Sequence, residues 1–248
     1  MKPYHWLAKY YDRIFLSSRL PWARAHVEIL GSVLPHITSA CDLACGTGAT
    51  ALDFARRRLR TYAVDLSPAM CRITADKARR AKLPVKVLRA DMRTFRLPER
   101  VDLVTCEYDA VNHLPAREAL ADVAGSVFRA LQPGGMFLFD VNTRVAFRRY
   151  WIATHCIEIP GAILIMRNGN AAAEDRAWSD LDWFIREGRT WRRRQERVEE
   201  VCWTDREIRS GLRAAGFRTV RAWDAAPFFK DGAAPIEPGC RTFYLARK

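Results

Sequence analysis

Apolar and polar positions along this chain follow two periods, and the periods predict most of its elements. Short apolar runs alternate with longer segments that repeat apolar residues at helical spacing. Strands that alternate with long helices build a parallel sheet with helices on both faces, so the pattern predicts a doubly wound α/β fold. The predicted strands are 39–44, 60–65, 85–89, 101–106 and 136–140, and the predicted helices are 5–16, 21–34, 49–58, 68–80 and 116–130.

The pattern changes after residue 145. Segments 162–167, 176–186 and 190–203 have the alternation of antiparallel strands, and Gly188 lies where a hairpin turn is expected. Neither face of the third segment is cleanly apolar, so at least one side of it should be exposed. We therefore predict a single domain over 1–248 that carries an inserted antiparallel strand region at 148–203.

The C-terminal part contains one helix and two strands. Residues 204–207, Thr-Asp-Arg-Glu, have the spacing of a capping box, which predicts a helix from there to Ala215. Gly216 should end this helix. Strands are expected at 217–224 and 241–247.

The most informative motif is Asp-Leu-Ala-Cys-Gly-Thr-Gly at 42–48. It closes an apolar strand and opens a helix, and Asp65 follows Gly46 by nineteen residues. A glycine turn followed at that distance by a carboxylate is typical of a sheet that binds a ribose-bearing cofactor. Asp42 and the missing third glycine disfavour a dinucleotide, because a pyrophosphate needs a helix N-terminus without nearby negative charge. A cationic cofactor without phosphate, such as S-adenosylmethionine, is compatible with Asp42.

With these motifs the chain resembles the class I S-adenosylmethionine-dependent methyltransferases, over roughly residues 1–145 and the C-terminal hairpin. It is similar to small bacterial enzymes that methylate small molecules, including glycine and amino-sugar N-methyltransferases. The resemblance implies a mostly parallel, seven-stranded, Rossmann-like sheet that ends in an antiparallel hairpin. It also implies S-adenosyl-L-methionine as cofactor and S-adenosyl-L-homocysteine as product. The motifs are DLACGTG at 42–48, VDLS at 64–67, ADM at 90–92, DLVTCEYDAVNHL at 102–114 and LQPGG at 131–135.

The resemblance implies a role for each cofactor residue. Asp42 is expected to hold the cofactor's ammonium, and Asp65 to accept hydrogen bonds from both ribose hydroxyls. Asp91 matches the position that binds the adenine amino group, although it could instead be a simple turn cap. One tyrosine of the Tyr10–Tyr11 pair should pack over the sulfonium, whereas the other could serve helix packing. The expected cofactor residues are Tyr10, Tyr11, Asp42, Ala44, Cys45, Gly46, Thr47, Gly48, Asp65, Leu66, Met70, Asp91, Met92 and Cys106.

A second group of candidates follows the strand at 101–106. Ligands bind outside the carboxyl ends of strands in such sheets, and the segment after this strand is dense in polar groups. The resemblance places Asp109, Asn112 and His113 near the methyl acceptor. His113 is the best single candidate for a base, because an unperturbed histidine titrates near pH 6.5, although a structural histidine is equally compatible with the position. No Lys/Glu or metal constellation is evident, which favours an amine acceptor over a hydroxyl and predicts no metal.

Composition narrows the remaining classes. The net charge of +13 invites a nucleic-acid partner, but the basic runs are short and spread along the chain, so nucleic acid is not the favoured partner. Seven cysteines without C-x-x-C spacing predict free, reduced thiols rather than a zinc site. We find no secretory signal and no apolar run long enough for a bilayer. These features predict a cytoplasmic protein without a membrane partner.

The sequence therefore predicts an S-adenosylmethionine-dependent methyltransferase that acts on a small molecule, with an amine nitrogen favoured. A nucleic-acid methyltransferase stays open because of the charge, although the segment after 101–106 lacks the Asn/Asp-Pro-Pro-aromatic motif of base-amino enzymes. A nicotinamide enzyme, which the short glycine turn disfavours, and a non-catalytic cofactor-binding module also stay open. The inserted strands either cap the acceptor pocket or form a subunit contact, which leaves a homodimer open.

Overall fold

The computed structural model describes residues 4–15, 20–116, 119–171, 175–229 and 235–248. Its centre is a seven-stranded sheet in the order β10-β11-β5-β4-β1-β2-β3. Strand β11 runs antiparallel to both neighbours, whereas the other adjacent strands run parallel. The strands of this sheet are β1 Ser39–Leu43, β2 Arg60–Asp65, β3 Val85–Arg89, β4 Val101–Cys106, β5 Leu131–Asn142, β10 Thr219–Asp224 and β11 Arg241–Arg247.

The helices lie close to their predicted positions because their ends carry local stop and start signals. Pro68 occupies the first turn of α4, and the hydroxyl of Ser67 accepts a hydrogen bond from the Met70 N–H. At α7 the predicted capping box forms between Thr204 and Glu207. The α-helices are α1 Leu7–Phe15, α2 Leu20–Leu30, α3 Ala49–Arg56, α4 Pro68–Arg80, α5 Ala119–Ala130, α6 Arg144–Tyr150, α7 Asp205–Ala214 and α8 Ala226–Phe229. Short 3₁₀ turns occupy Gly31–His36 and Ala110–His113. Residue 16 of the first predicted helix and residues 117–118 of the fifth lie outside the described residues.

This arrangement confirms the predicted doubly wound, mostly parallel seven-stranded fold. Strand β1 lies between β2 and β4. The connection from β1 to β2 and the connection from β4 to β5 therefore lead toward opposite edges of the sheet. A crevice opens at such a point beyond the carboxyl ends of the two strands. The turn after Leu43 and the loop after Cys106 therefore face each other across that crevice.

A separate antiparallel sheet, called the inserted sheet, has the strand order β6-β7-β8-β9. Three of its strands were predicted, and the fourth, β6, was not. Strand β6 is largely exposed and mixes polar with apolar residues, so it lacks a clear apolar face. The strands are β6 Thr154–Ile159, β7 Ala162–Ala171, β8 Arg176–Glu187 and β9 Thr190–Val201.

The inserted sheet has one face toward the rest of the molecule. Leu164, Leu181 and Trp183 on that face pack with Leu7 and Tyr10 of α1. The register places Glu196 and Glu200 of β9 on the same face, opposite Leu181 and Ala177. Odd-numbered residues of β9 are mostly exposed, which confirms the expected exposed side. Within the described part of the chain, no helix combines the length and apolar character that a membrane span requires.

Candidate active site

Two neighbouring cavities occupy the crevice. The large cavity, about 690 Å³, lies against the turn after β1 and the ends of β2 and β3. The small cavity, about 440 Å³, lies between the loop after β4, the end of β11 and the inner face of the inserted sheet. Their walls share four side chains, Tyr4, Tyr11, Tyr108 and His113. Among the described residues, the side chains common to both cavities are thus all aromatic.

The glycine turn forms one wall of the large cavity. Gly46 has a φ of 55°, and no described atom lies within 4 Å of the position that a Cβ would take there. Glycine reaches this left-handed region without steric cost, so the backbone can approach a ligand closely. Ala44 adopts a similar φ of 55°, which is uncommon for a residue with a side chain and is often found at functional sites.

Asp65 joins this turn to the end of β2. Its carboxylate accepts hydrogen bonds from the Gly46 N–H at 2.8 Å and from the Ser67 N–H at 2.7 Å, and it lines the large cavity. Burial raises its pKa, while the backbone donors lower it in part. The carboxylate is therefore held rigidly at the cavity wall, where charge-assisted hydrogen bonds to a diol are strong.

The other two predicted acids already have partners within the chain. Asp42 is 3% exposed and accepts a hydrogen bond from the Ala51 N–H at 2.9 Å, near the start of α3. Asp91 pairs with the guanidinium of Arg93 at 2.6 Å, and this hydrogen bonding lowers its pKa. Both acids line the large cavity, but Asp42 also supports the helix and Asp91 also neutralises an arginine.

Most of the predicted cofactor residues line the large cavity, but Tyr10, Gly48 and Cys106 do not. Tyr10 stacks on Trp183, with 5.2 Å between ring centroids, so Tyr11 is the member of the pair that lines the cavity. A Cβ on Gly48 would collide with Thr74, which shows that this glycine packs against α4. Cys106 is fully buried in the core beneath the sheet end. The predicted residues at the wall are Tyr11, Asp42, Ala44, Cys45, Gly46, Thr47, Asp65, Leu66, Met70, Asp91 and Met92.

Glu107 is a cavity residue that the sequence analysis missed. It directly follows Cys106 and lies in the wall of the large cavity. One carboxylate oxygen lies 2.5 Å from Nε2 of His26, and the other accepts a hydrogen bond from the Thr50 hydroxyl at 2.5 Å. The sequence signal for Glu107 was its position immediately after β4, because that strand ends at the crevice.

Of the predicted catalytic residues, Asn112 has a structural position. It is fully buried, and its amide donates to the carbonyls of Asn142 at 3.0 Å and Val201 at 2.9 Å. Its side-chain oxygen accepts a hydrogen bond from the Asn142 N–H. The residue thus ties the loop after β4 to β5 and β9, and it does not line either cavity.

Asp109 lines the small cavity within a buried charge cluster. It has a φ of 52° and pairs with Arg241 at 2.6 Å, and Arg241 also pairs with Asp140. Burial favours the neutral acid at Asp109, but Arg241 and His113 outweigh it and lower the pKa. At Asp140 burial dominates and raises the pKa to about 6. Both ends of the Arg241 guanidinium are therefore occupied by carboxylates.

His113 lies on the shared wall with both ring nitrogens engaged. Nδ1 is 3.0 Å from the Glu199 carbonyl and Nε2 is 2.9 Å from the Tyr4 hydroxyl. Burial lowers the pKa of His113, yet Asp109 and Glu200 outweigh it and raise the pKa to about 9. The imidazole is therefore protonated at neutral pH, a state that donates a hydrogen bond and cannot accept a proton.

Glu200 is a second residue that the sequence analysis missed as a candidate. It is 5% exposed, lines the small cavity, and accepts a hydrogen bond from the Asn142 amide at 3.0 Å through Oε2. Burial raises its pKa to about 7. The strand alternation predicted that Glu200 lies on one face of β9. The pattern could not indicate that this face lines a cavity.

The side chains of Asp109, His113 and Glu200 come within 4.8 Å of one another, a spacing that a metal ion could also use. Arg241 already occupies Asp109, and the Tyr4 hydroxyl and the Glu199 carbonyl occupy both nitrogens of His113. We therefore interpret the trio as a cluster of neighbouring charges rather than as metal ligands.

Comparison with known proteins relates this crevice to methyltransferases. Residues 40–135, which run from β1 into β5, match the methyltransferase domain family. This part of the chain is a methyltransferase domain. The chain is also similar to YqeM, a proposed methyltransferase of Bacillus subtilis (strain 168), with 27% identity over 99% of this chain and 97% of the relative.

Two further similarities concern part of the sequence and the fold. The dTDP-4-amino-2,3,4,6-tetradeoxy-D-glucose N,N-dimethyltransferase of Saccharopolyspora spinosa is 28% identical over 75% of this chain and 69% of its own. A crystal structure of an S-adenosylmethionine-dependent methyltransferase from Clostridium acetobutylicum ATCC 824 aligns with a TM-score of 0.81 and 22% identity, covering 99% of both chains. At that identity the structural likeness supports the fold alone.

The residues of the large cavity fit S-adenosylmethionine. Asp65 offers a buried carboxylate for a ribose diol, and the open space at Gly46 admits a ligand against the backbone. Leu66, which is 60% exposed, and Met70 provide apolar surface beside Asp65 for an adenine ring. Asp42 and Asp65 lie in the cavity wall with the glycine turn, and their negative charge favours a cationic ligand.

Proposed function

We propose that this methyltransferase transfers a methyl group to an amine nitrogen of a small molecule. The observation that carries the proposal is the shared wall between the two cavities, which consists of Tyr4, Tyr11, Tyr108 and His113. A cofactor in the large cavity and an acceptor in the small cavity would meet at this wall. The S. spinosa relative, named as a dimethyltransferase of an amino sugar, supports an amine acceptor.

The proposed mechanism relies on alignment and exclusion of water. When bound, S-adenosylmethionine supplies an activated methyl group, so the protein needs mainly to orient the acceptor and to remove its proton. The shared wall contains three tyrosine rings, and the face of such a ring attracts a cationic centre. Burial raises the pKa of the Tyr4 and Tyr11 hydroxyls, so both phenols remain protonated and can donate hydrogen bonds.

The predicted cofactor roles remain part of the proposal. Asp65 would hold the ribose hydroxyls, Leu66 and Met70 would cover the adenine, and Asp42 would face the ammonium through a carboxylate that the Ala51 N–H already orients. Asp91 would reach the adenine amino group only if its pairing with Arg93 loosens.

We also propose that the inserted sheet, within a single domain 1–248, closes the small cavity. The inner face of its strands contributes Met166, Ser179, Leu181, Val198 and Glu200 to the cavity wall. The exposed outer face leaves a subunit contact, and with it a homodimer, as a second role for the same sheet.

The proposal is tested by cofactor titration followed by a transfer assay. Calorimetry should detect binding of S-adenosylmethionine and S-adenosylhomocysteine but no comparable binding of NAD. Formation of S-adenosylhomocysteine should then depend on an amine in a panel of amines, carboxylates and phenols. Avid binding of NAD alone would overturn the cofactor assignment. Cofactor binding without transfer to any member of the panel would favour the non-catalytic module.

A further inference from the structure

The small cavity contains one carboxylate whose charge is not matched by an ion pair. Among the described residues, Asp109 pairs with Arg241 at 2.6 Å. Glu200 forms no such ion pair there, and a cationic group, the His113 imidazole, lies within 4.8 Å of its carboxylate without a hydrogen bond between them. The only hydrogen bond to the Glu200 side chain within the described part of the chain comes from Asn142 to Oε2. Oε1 is therefore available to a ligand that enters the cavity.

The rest of the cavity wall favours an apolar ligand body. Aromatic and aliphatic side chains predominate, and the arginine among the described lining residues, Arg241, is neutralised by Asp109 and Asp140. An anionic ligand such as a carboxylate would have to displace one of these pairs. The apolar lining residues include Leu7, Phe15, Trp22, Met166, Leu181 and Phe229.

The protonation states around the shared wall leave few places for a proton. Both nitrogens of His113 lie within hydrogen-bond distance of partners, the Glu199 carbonyl and the Tyr4 hydroxyl. Asp109 and Glu200 outweigh burial and raise the pKa of this imidazole. Asp109 accepts from Arg241, which holds it ionised by lowering its pKa. A carboxylate that is buried and unpaired, as at Glu200, binds a proton more readily than an ordinary glutamate.

We infer that Glu200 binds the ammonium of the acceptor and receives the proton that the amine must lose, and that the acceptor is a cationic amine carried on an apolar body. The inference rests on the proposed function and specifies its acceptor. In the step, one nitrogen–hydrogen bond of the ammonium breaks and its proton moves to Oε1 of Glu200. The electron pair stays on nitrogen and would form the bond to the methyl carbon. The bond from that carbon to sulfur would break at the same time, and its electron pair would stay on sulfur in the S-adenosylhomocysteine that leaves. Glu200 returns the proton to water after the methylated ammonium leaves.

Other charged groups also face Glu200 and influence its titration. Asp109 and His113 approach from the loop after β4, Arg241 from β11, and Tyr4 from the N-terminal segment. Asp109 favours the protonated acid and raises the pKa of Glu200, whereas His113 and Arg241 favour the carboxylate. A test must therefore change Glu200 alone and leave these neighbours in place.

The test measures binding in the full chain saturated with S-adenosylhomocysteine, so that no turnover occurs. The probes are 2-phenylethylamine, which is protonated, and 2-phenylethanol, a neutral analogue of similar shape. Calorimetry of the wild type should show that the amine binds, and Glu200→Gln should weaken that binding about tenfold or more, the loss expected for a charged hydrogen bond. Binding of the alcohol should be unchanged. The matched control is Glu158→Gln, because Glu158 is exposed on β6 of the same sheet and does not line either cavity.

The pH dependence provides a readout that a merely structural role would not change. Amine binding to the wild type should strengthen as the pH rises through about 7, the pKa at which Glu200 ionises. Glu200→Asp should retain this dependence and Glu200→Gln should lose it. Equal amine affinity in the wild type and in a folded Glu200→Gln would overturn the inference, as would a wild type that binds S-adenosylhomocysteine but not the amine. Failure to bind S-adenosylhomocysteine would instead contradict the proposed function.

Discussion

At the scale of single residues, Asp65 is the group on which cofactor binding should depend most. It faces the large cavity while two backbone N–H groups hold its carboxylate in place. Asp65→Asn keeps the side-chain volume and removes the charge, so we expect S-adenosylmethionine binding to weaken by about 1–3 kcal/mol. Calorimetry measures this change. Asp76→Asn on the exposed side of α4 serves as control, because Asp76 pairs with Arg79 and does not line the cavity. Equal affinity in both variants would contradict the role of Asp65.

His113 leads to a prediction about stability and pH. Its pKa rises from an ordinary value near 6.5 in the unfolded chain to about 9 in the fold, so the folded state binds this proton more tightly. The resulting stabilisation is complete below about pH 6.5 and is lost as the pH rises through 9. Urea unfolding of the wild type should show this decline, on the order of 3 kcal/mol, and His113→Asn should flatten it over the same window. A decline that persists in the variant would assign the titration to another group.

Individual residues also differ in how far their positions could be predicted from the sequence. The position of Asp65 beside the glycine turn was predictable, because a strand end, a turn and a spacing of nineteen residues are together typical of a cofactor site. Glu107 and Glu200 were missed as candidates because the sequence does not indicate whether their side chains face the crevice. Asn112 looked catalytic because it is polar beside the crevice, but its amide satisfies two buried carbonyls instead.

At the scale of elements, the parallel strands and helices were predictable because each is buried on a consistent face and ends at a local signal. The inserted sheet was predicted less completely. Its strands are half exposed, and β6 pairs with β7 through backbone hydrogen bonds that its side-chain pattern does not reveal. The contact between this sheet and α1 involves residues 189 positions apart, Leu7 and Glu196, and no local pattern specifies such a pairing.

The contact between Glu196 of the inserted sheet and the start of α1 leads to a prediction about the stability of that helix. The carboxylate of Glu196, 7% exposed, accepts hydrogen bonds from the His5 and Leu7 N–H groups at the start of α1 and from the Trp183 indole. Glu196→Ala should release the start of α1, because helix N-termini need acceptors for their free N–H groups. Hydrogen exchange should quicken in α1, and S-adenosylmethionine affinity should fall because Tyr11 of α1 lines the large cavity.

The internal reference for this variant is α7. Its N-terminus is capped locally by Thr204 and Glu207, independently of Glu196, so its exchange should not change. Quicker exchange in both helices would indicate general destabilisation rather than loss of the Glu196 contact. Unchanged exchange in α1 would show that packing of Leu7 and Tyr10 alone is enough to hold the helix.

At the scale of the whole molecule, the net charge of +13 raises the question of whether the basic residues bind a nucleic acid. Many arginines are paired with carboxylates at the surface, so their charge is locally compensated. Two of them, Arg167 and Arg193, converge on a single buried acid, Asp182, on the outer face of the inserted sheet. Further pairs are Arg60–Glu99, Arg93–Asp91, Arg144–Asp175, Arg197–Asp180 and Arg209–Asp205. Local pairing of this kind weakens the field that binding along a nucleic-acid backbone would need.

This distribution predicts weak, salt-sensitive binding of nucleic acid and salt-tolerant binding of small ligands. A single-stranded RNA oligonucleotide should bind no tighter than about 10⁻⁶ M at physiological salt, the range of non-specific association. Raising the salt should abolish this binding, because it depends on exposed arginines whose fields are screened over about 10 Å or less. S-adenosylmethionine and the amine probe should bind almost equally at both salt concentrations, since Asp65 and Glu200 act at short range in sites with little solvent access. Tight RNA binding together with methyl transfer to that RNA would reverse the argument, because the small cavity would then admit a flipped base rather than an apolar amine.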